Sequence, residues 1–180
     1  MNTKLLVPTD FSEVAQSAMQ HAIKFAEIIN ADLILLHVVN SREEVEEAKE
    51  KLRKEITLGS SFSNSCNITS FVRIGNIFED IGDVAAELGI SLIFMGTHKA
   101  SRWQKLVGSR AIKVITSSPV PFIVTQEKFM NSNGYDNIVV PLDLNVETKQ
   151  KLELVAKIAH YFDSEVHLLT NDNSDEFIKT

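Results

Sequence analysis

The chain has 180 residues, of which 44% are hydrophobic and 23% are charged, and its formal net charge at pH 7 is −6. These values are typical of a globular protein with a real core, and the negative charge argues against a general nucleic-acid-binding protein. The single cysteine excludes an internal disulfide and a metal site built from several thiolates. No apolar run approaches the roughly 18 residues of a membrane span, and the chain does not start with a signal peptide's apolar region. We therefore expect a cytoplasmic protein without membrane or nucleic-acid partners.

The chain up to residue 125 alternates between apolar strand patterns and amphipathic helix patterns. Strands are predicted at 5–7, 33–39, 68–74, 91–95 and 121–125, and helices at 12–29, 41–58, 77–88 and 111–117. The second strand, at 33–39, lacks polar alternation, which is typical of parallel strands covered by helices on both faces. Pro119 and Pro121 suit an edge position for the fifth strand. The predicted fold is therefore α/β, an open five-stranded parallel sheet with helices on both faces.

In such a sheet, ligands bind outside the carboxyl ends of the strands, where the winding direction reverses. The loop at residues 8–10 and the loop at residues 96–109 both belong to that edge. Glycines bound the second loop, hydroxyl and cationic side chains fill it, and Ser109 can cap the helix that follows. Because free amides at a helix start bind anions, the pattern indicates a phosphate cradle. An ordinary strand-to-helix turn with a serine cap has the same residues, so this alternative stays open.

A partial internal repeat follows the linker-like run at 131–134. Residues 138–143, Ile-Val-Val-Pro-Leu-Asp, echo residues 5–10, Leu-Leu-Val-Pro-Thr-Asp, at an offset of 133 residues. The following residues, to about 170, predict strand, helix and strand, the start of a second copy. We expect a domain at 1–127, a linker at 128–135 and an incomplete second domain at 136–180. Because about 40 residues cannot bury their own apolar faces, either the chain is a fragment of a longer tandem protein or this unit packs against another surface.

Several motifs that carry chemistry are absent. The chain lacks Gly-x-Gly-x-x-Gly and Gly-x-x-x-x-Gly-Lys-[Ser/Thr], which argues against a Rossmann dehydrogenase and a P-loop NTPase. It also lacks the Gly-x-Ser-x-Gly elbow of a serine hydrolase. The five histidines do not have metal-site spacing. We predict no catalytic residues and no protein metal site.

Taken together, the motifs resemble the universal stress protein family. In chain order they are Val7-Pro8-Thr9-Asp10-Phe11-Ser12, Leu36-His37-Val38, Gly75, Met95-Gly96-Thr97-His98, Gly108-Ser109 and Pro119-Val120-Pro121-Phe122-Ile123-Val124. The resemblance covers residues 3–127, with residues 136–170 as the start of a second domain, as in tandem members of the family. It implies a five-stranded parallel sheet that in many members binds ATP.

The resemblance also implies which residues bind the nucleotide. Adenine and ribose would be contacted by Pro8, Thr9, Asp10 and Val38. The nucleotide would be lined by Met95, Gly96 and His98. The phosphates would be held by Gly108, Ser109 and the backbone amide of Arg110.

The phosphate loop departs from the family pattern in two ways. Lys99 stands where the family has a second glycine, and the eight residues from 100 to 107 make the spacer to Gly108 one residue shorter. The Cβ of Lys99 hinders close approach of the backbone, whereas its cationic group can contribute to phosphate binding. The loop is therefore degenerate.

Two functions follow from these observations. The leading hypothesis is a stress-response regulatory module that binds an adenine nucleotide, ATP with magnesium, at this site. The loop supplies no general base, so we expect slow ATP hydrolysis at most. The rival hypothesis is a scaffold that does not bind nucleotide and acts through protein contacts. In either case the fifth strand is expected to pair in a homodimer or in an intramolecular pseudo-dimer.

Overall fold

In a computed structural model of the chain, the described residues are 3–63, 65–97, 115, 118–126, 134–142 and 146–170. The chain divides into two compact units, with the boundary between residues 129 and 130. Within the described ranges, the first unit contains five strands and three helices, and the second contains two strands and one helix. No helix in these ranges is long and apolar enough to cross a lipid bilayer.

Strands and helices alternate in the first unit, as the sequence predicts. The strands are β1 (Lys4–Pro8), β2 (Asp32–Val39), β3 (Ile68–Ile74), β4 (Leu92–Gly96) and β5 (Phe122–Thr125). The helices are α1 (Glu13–Ile29), α2 (Val45–Phe62) and α3 (Ile77–Leu88). The helix expected at 111–117 lies outside the described residues except for Ile115, which is helical.

All five strands are parallel, and their order in the sheet is β3-β2-β1-β4-β5. β1 is central, and its Leu5, Leu6 and Val7 side chains are completely buried. β5 lies at one edge of the sheet. Prolines are tolerated at an edge because their missing N–H groups need not interrupt the hydrogen bonds between strands. The predicted five-stranded parallel α/β sheet is therefore confirmed.

Helices cover both faces of this sheet. α1 packs on β1 and β4 and contacts α2, and the rings of Phe25 and Phe94 meet edge to face with centroids 5.5 Å apart. α3 packs on the opposite face, where Val84 joins Leu6 and Ile93 in a buried cluster. Because successive strand residues point to opposite faces, the three inner strands β1, β2 and β4 are largely buried on both sides, which explains their apolar runs.

The sequence predicts a helix over 12–29, and α1 begins after Ser12 and ends before Asn30. The Ser12 hydroxyl accepts a hydrogen bond from the Ala15 N–H at 3.4 Å. At the other end, Asn30 takes the left-handed conformation with φ 52°, and its N–H donates to the Ala26 carbonyl. Asparagine tolerates this conformation better than most residues, so the helix stops there.

Substitution of Ser12 by alanine is expected to lower the free energy of unfolding by about 1 kcal/mol, because the Ala15 amide loses its capping acceptor. Urea unfolding followed by circular dichroism measures this loss. Ser60→Ala is the matched control, because Ser60 lies on an exposed part of α2, where alanine favours the helix. Equal midpoints for Ser12→Ala and the native protein would contradict the capping role.

α2 differs from its prediction, which was a helix at 41–58 followed by a loop. The helix runs from Val45 to Phe62 and continues through Gly59. A Cβ at Gly59 would lie 2.8 Å from Ile68 Cδ1 and 3.4 Å from Ile23 Cδ1. Glycine is a poor helix former in isolation. Here the absent side chain lets the helix lie close to the sheet, so tertiary packing overrides the local preference.

The second unit has the predicted order of strand, helix and strand. It comprises β6 (Asn137–Leu142), α4 (Val146–Phe162) and β7 (Glu165–Thr170), and the two strands are parallel. The rings of Tyr135 and Phe162 meet edge to face at 4.9 Å. Val139 and Leu168 are nevertheless about 60% exposed, at 62% and 59%. A unit of this size leaves apolar strand surface uncovered, as its length predicts.

Candidate functional site

The winding direction of the sheet reverses between β1 and β4. From β1 the chain moves to β2 and then β3 on one side, and it returns to place β4 on the other side of β1. The carboxyl ends of two such strands form the crevice in which parallel sheets bind ligands. β1 leads into Thr9 and Asp10, and β4 ends at Gly96. The topology therefore brings the ends of β1 and β4, from which the two predicted loops start, to one edge.

Thr9 organises the turn between β1 and α1. Its side chain is buried, with 6% of the residue exposed. Its N–H donates to the Leu36 carbonyl at 2.8 Å, and its carbonyl oxygen lies 2.7 Å from Nδ1 of His37. Its hydroxyl accepts the Phe11 N–H at 3.0 Å. These bonds fix the turn to the end of β2.

Asp10 is exposed at the edge of the sheet, and its Oδ1 accepts the Ser12 N–H at 3.0 Å. The next residue, Phe11, has a positive φ of 66°, which is rare for a bulky side chain. Its ring lies against His37 with centroids 4.4 Å apart, and Lys51 Nζ lies 5.7 Å from the ring centroid. Backbone strain of this kind is common at ligand sites. Thr9, Asp10 and Phe11 are called the β1 corner below.

Gly96 packs directly against the first turn of α1. A Cβ at this position would lie 2.1 Å from the Val14 carbonyl oxygen and 3.0 Å from the Ala15 nitrogen. Because these are backbone atoms, they cannot move aside as a flexible side chain would. Glycine is therefore required at position 96 for the close contact between β4 and α1. No pattern in the sequence predicted this requirement.

Three other predicted residues lie in the strands near this edge. Pro8 is buried in β1, opposite Leu36 of β2. Val38 and Met95 are half-buried near the ends of β2 and β4. Apolar side chains at the strand ends, together with an exposed carboxylate on Asp10, suit a heterocyclic base that carries an amino group, or a ribose with its hydroxyl groups. The remaining predicted residues lie outside the described residues: His98, Lys99, Gly108, Ser109 and Arg110.

Glu55 of α2 is buried near the β1 corner, although the many charged residues at 41–58 predict a solvated surface helix. Only 6% of Glu55 is exposed, and its carboxyl group lies beside the Thr9 side chain. Burial raises the pKa of Glu55, the Thr9 side chain opposes this, and the charge of Asp10 adds to the increase. Among the described residues, no group bonds to its Oε1.

The helical spacing gave a signal for this residue. Ala48, Leu52, Glu55 and Gly59 are the buried residues of α2, and they recur every three or four positions. That recurrence defines one helix face. The apolar residues Val45, Ala48, Leu52 and Ile56 of the sequence predict Ile56 on this face, whereas the structure places Glu55 there.

Comparison with known proteins bears on this site. The model of the universal stress protein family matches residues 1–126. A universal stress protein of Methanocaldococcus jannaschii is 29% identical over 157 residues, which cover 71% of this chain and 97% of the relative.

Solved structures of universal stress proteins share the fold. One in complex with cAMP has a TM-score of 0.57 at 18% identity and covers 71% of this chain and 98% of its own. One from Archaeoglobus fulgidus in complex with dAMP has a TM-score of 0.55 at 20% identity, with 68% and 96% covered. Another from Archaeoglobus fulgidus has a TM-score of 0.73 at 20% identity and covers 98% of this chain and 70% of its own.

At these identities the structures show a common architecture only. The family model carries more weight, because it spans most of the chain and covers all five strands of the first unit. The chain therefore belongs to the universal stress protein family.

Proposed function

We propose that this protein is a stress-response regulatory module that binds an adenine nucleotide in the crevice between β1 and β4. The observation that carries the proposal is that the exposed Asp10 directly follows β1, whose neighbour β4 lies on the other side of the point where the winding reverses. Two structures of the same fold are complexes with adenine nucleotides, cAMP and dAMP. The chemistry of the crevice suits the same class of ligand.

In this proposal the β1 corner and the ends of β2 and β4 bind the nucleoside. Asp10 accepts hydrogen bonds from amino or hydroxyl groups, and the backbone of Pro8 and Thr9 lies beside the base. Val38 and Met95 supply apolar contact. An ionised carboxylate can accept hydrogen bonds but cannot donate them, so Asp10 selects ligand groups that donate hydrogen bonds.

The phosphates are assigned to the loop after β4. Gly96, His98 and Lys99 line this end, and Gly108, Ser109 and the amide of Arg110 hold phosphate. ATP would bring magnesium with it. Phosphate binding would then order the loop and change an interface of the protein, and hydrolysis would be slow at most.

The wider organisation is also part of the proposal. We assign residues 1–127 to the nucleotide-binding domain, 128–135 to a linker and 136–180 to an incomplete second domain, in a cytoplasmic protein. The edge strand β5 would pair in a homodimer or a pseudo-dimer. Its unpaired edge and the exposed Val124 side chain, at 43%, support this assignment.

Calorimetric titration with ATP and magnesium, and separately with dAMP and cAMP, tests the proposal. The native protein is expected to bind at least one of these saturably, and Gly108→Glu is expected to weaken binding at least tenfold, because a carboxylate would face the phosphate. Gly82→Glu is the matched control, since a Cβ on Gly82 of α3 meets nothing within 4 Å.

Three results would contradict the proposal. Absence of saturable binding to all three nucleotides would favour the scaffold that acts through protein contacts. Equal loss of binding in Gly82→Glu and Gly108→Glu would indicate that the loop after β4 is not part of the binding site. An ATPase rate well above background would favour an enzyme.

A further inference from the structure

The buried carboxyl group of Glu55 touches the β1 corner from below. It lies beside the Thr9 side chain, and the Thr9 hydroxyl accepts the Phe11 N–H at 3.0 Å. The same corner carries Asp10, which is exposed at the edge of the sheet. Glu55 is therefore next to the turn that positions Asp10, a residue predicted to bind the nucleotide.

No cation among the described residues neutralises Glu55. Lys51, one turn earlier in α2, pairs with Glu47 at 2.7 Å and lies over the Phe11 ring. His37 uses its Nδ1 on the Thr9 carbonyl. The charged group that does act on Glu55 is Asp10, which has the same sign. Ionisation of Glu55 therefore places a second negative charge beside Asp10, with Oε1 lacking a partner in this part of the chain.

Burial and the nearby Asp10 charge both favour the neutral form of Glu55. A buried carboxylate with an unbonded oxygen gains stability if the corner shifts or if water enters. Either change moves the backbone between Thr9 and Phe11 and with it the Asp10 carboxylate. The added charge also repels the phosphate of a bound nucleotide.

We propose that Glu55 is a positioning residue of the nucleotide site, and that its ionisation weakens nucleotide binding as the pH rises. This inference rests on the proposed function, because it concerns the regulation of the same crevice. It assigns to α2 a role in binding that none of the sequence motifs indicates.

The sign of the pH effect follows from the chemistry of Glu55. Its pKa is raised from the ordinary value of 4.5, with burial as the main cause. The folded state therefore holds the proton more tightly than the unfolded state. Protonated Glu55 therefore contributes its full stabilisation of the folded state when the pH is below the ordinary pKa of 4.5, and this stabilisation is lost as the pH rises through the raised pKa. A carboxylate in a salt bridge has the opposite pH dependence.

Binding of cAMP between about pH 5 and pH 8 tests the proposal, because the cyclic phosphodiester keeps a single charge throughout this range. The affinity of the native protein is expected to fall about fourfold as Glu55 ionises. By Coulomb's law, one charge placed about 10 Å from the phosphate, at an effective dielectric constant of about 40, would change the affinity about fourfold. Glu55→Gln, which keeps a hydrogen-bonding group of the same shape, is expected to bind with pH-independent affinity near the low-pH value of the native protein.

Glu50→Gln is the matched control, because Glu50 lies on the exposed face of the same helix and pairs with Arg53 at 2.5 Å. It is expected to follow the native pH profile. Identical pH profiles for the native protein and Glu55→Gln would overturn the proposal.

Amide chemical shifts of the free protein give a second, independent measurement. The Thr9 and Phe11 amide resonances are expected to titrate in the native protein, and this transition is expected to be absent in Glu55→Gln. If cAMP binds to none of the proteins, the proposed function fails for that nucleotide, and the amide titration alone decides the inference. The same amide titration in both proteins would overturn it.

Discussion

Replacement of Gly96 by alanine is expected to lower the free energy of unfolding of the first unit by about 3 kcal/mol. The new Cβ would lie 2.1 Å from the Val14 carbonyl oxygen, which is far inside van der Waals contact. Relief of this clash requires β4 and the start of α1 to move apart. Since β4 ends at the crevice, nucleotide affinity is expected to fall as well.

Urea unfolding and thermal melting measure this effect, and the melting temperature is expected to drop by about 10 °C. Gly82→Ala is the matched control. Gly82 lies in α3, and a Cβ added there would meet nothing within 4 Å, so alanine is expected to stabilise the helix by about 0.5–1 kcal/mol. Unfolding of Gly96→Ala at the same urea concentration as the native protein would contradict the close contact between β4 and α1.

Replacement of Phe94 by alanine is expected to cost about 3–5 kcal/mol, because it removes a large ring from the centre of the core. Phe94 has no exposed surface, and its ring contacts that of Phe25 at 5.5 Å. Small domains have a total stability of about 5–15 kcal/mol. Most of the stability of the first unit is therefore expected to disappear with this one side chain.

Phe62→Ala provides the comparison for Phe94→Ala, since it is the same chemical change at a site that is 47% exposed. It is expected to change the free energy of unfolding by no more than about 0.5 kcal/mol. Chemical unfolding of both variants, followed by circular dichroism, measures the difference. Similar losses in the two variants would mean that the α1-facing side of the sheet is not a tightly packed core.

The sequence predicted the features that depend on local chemistry. The start of α1 was predictable because Ser12 caps a helix through its own side chain, and its end because Asn30 tolerates a left-handed backbone. The parallel sheet was predictable because strands buried on both faces have no polar alternation. These signals lie within a few residues of the structure that they specify.

Features that depend on packing between distant segments were not predicted. α2 extends to Phe62 because Gly59 lies close to Ile68 and Ile23, and no local pattern reveals that contact. The sequence predicted Ile56 as the buried position after Leu52, whereas Glu55 lies on the buried face. The residues after Met95 that were predicted to bind phosphate remain a prediction.

The central position of β1 has a consequence for the order in which the protein assembles during synthesis. β1, β2 and β3 are contiguous in the chain, so one half of the sheet can form once the first 74 residues have emerged from the ribosome. The opposite edge of β1 pairs with β4, with Leu5 beside Leu92, and waits for a segment translated much later. Until that segment arrives, the nascent chain carries an open hydrophobic strand edge, the kind of surface on which chaperones act and from which aggregation begins.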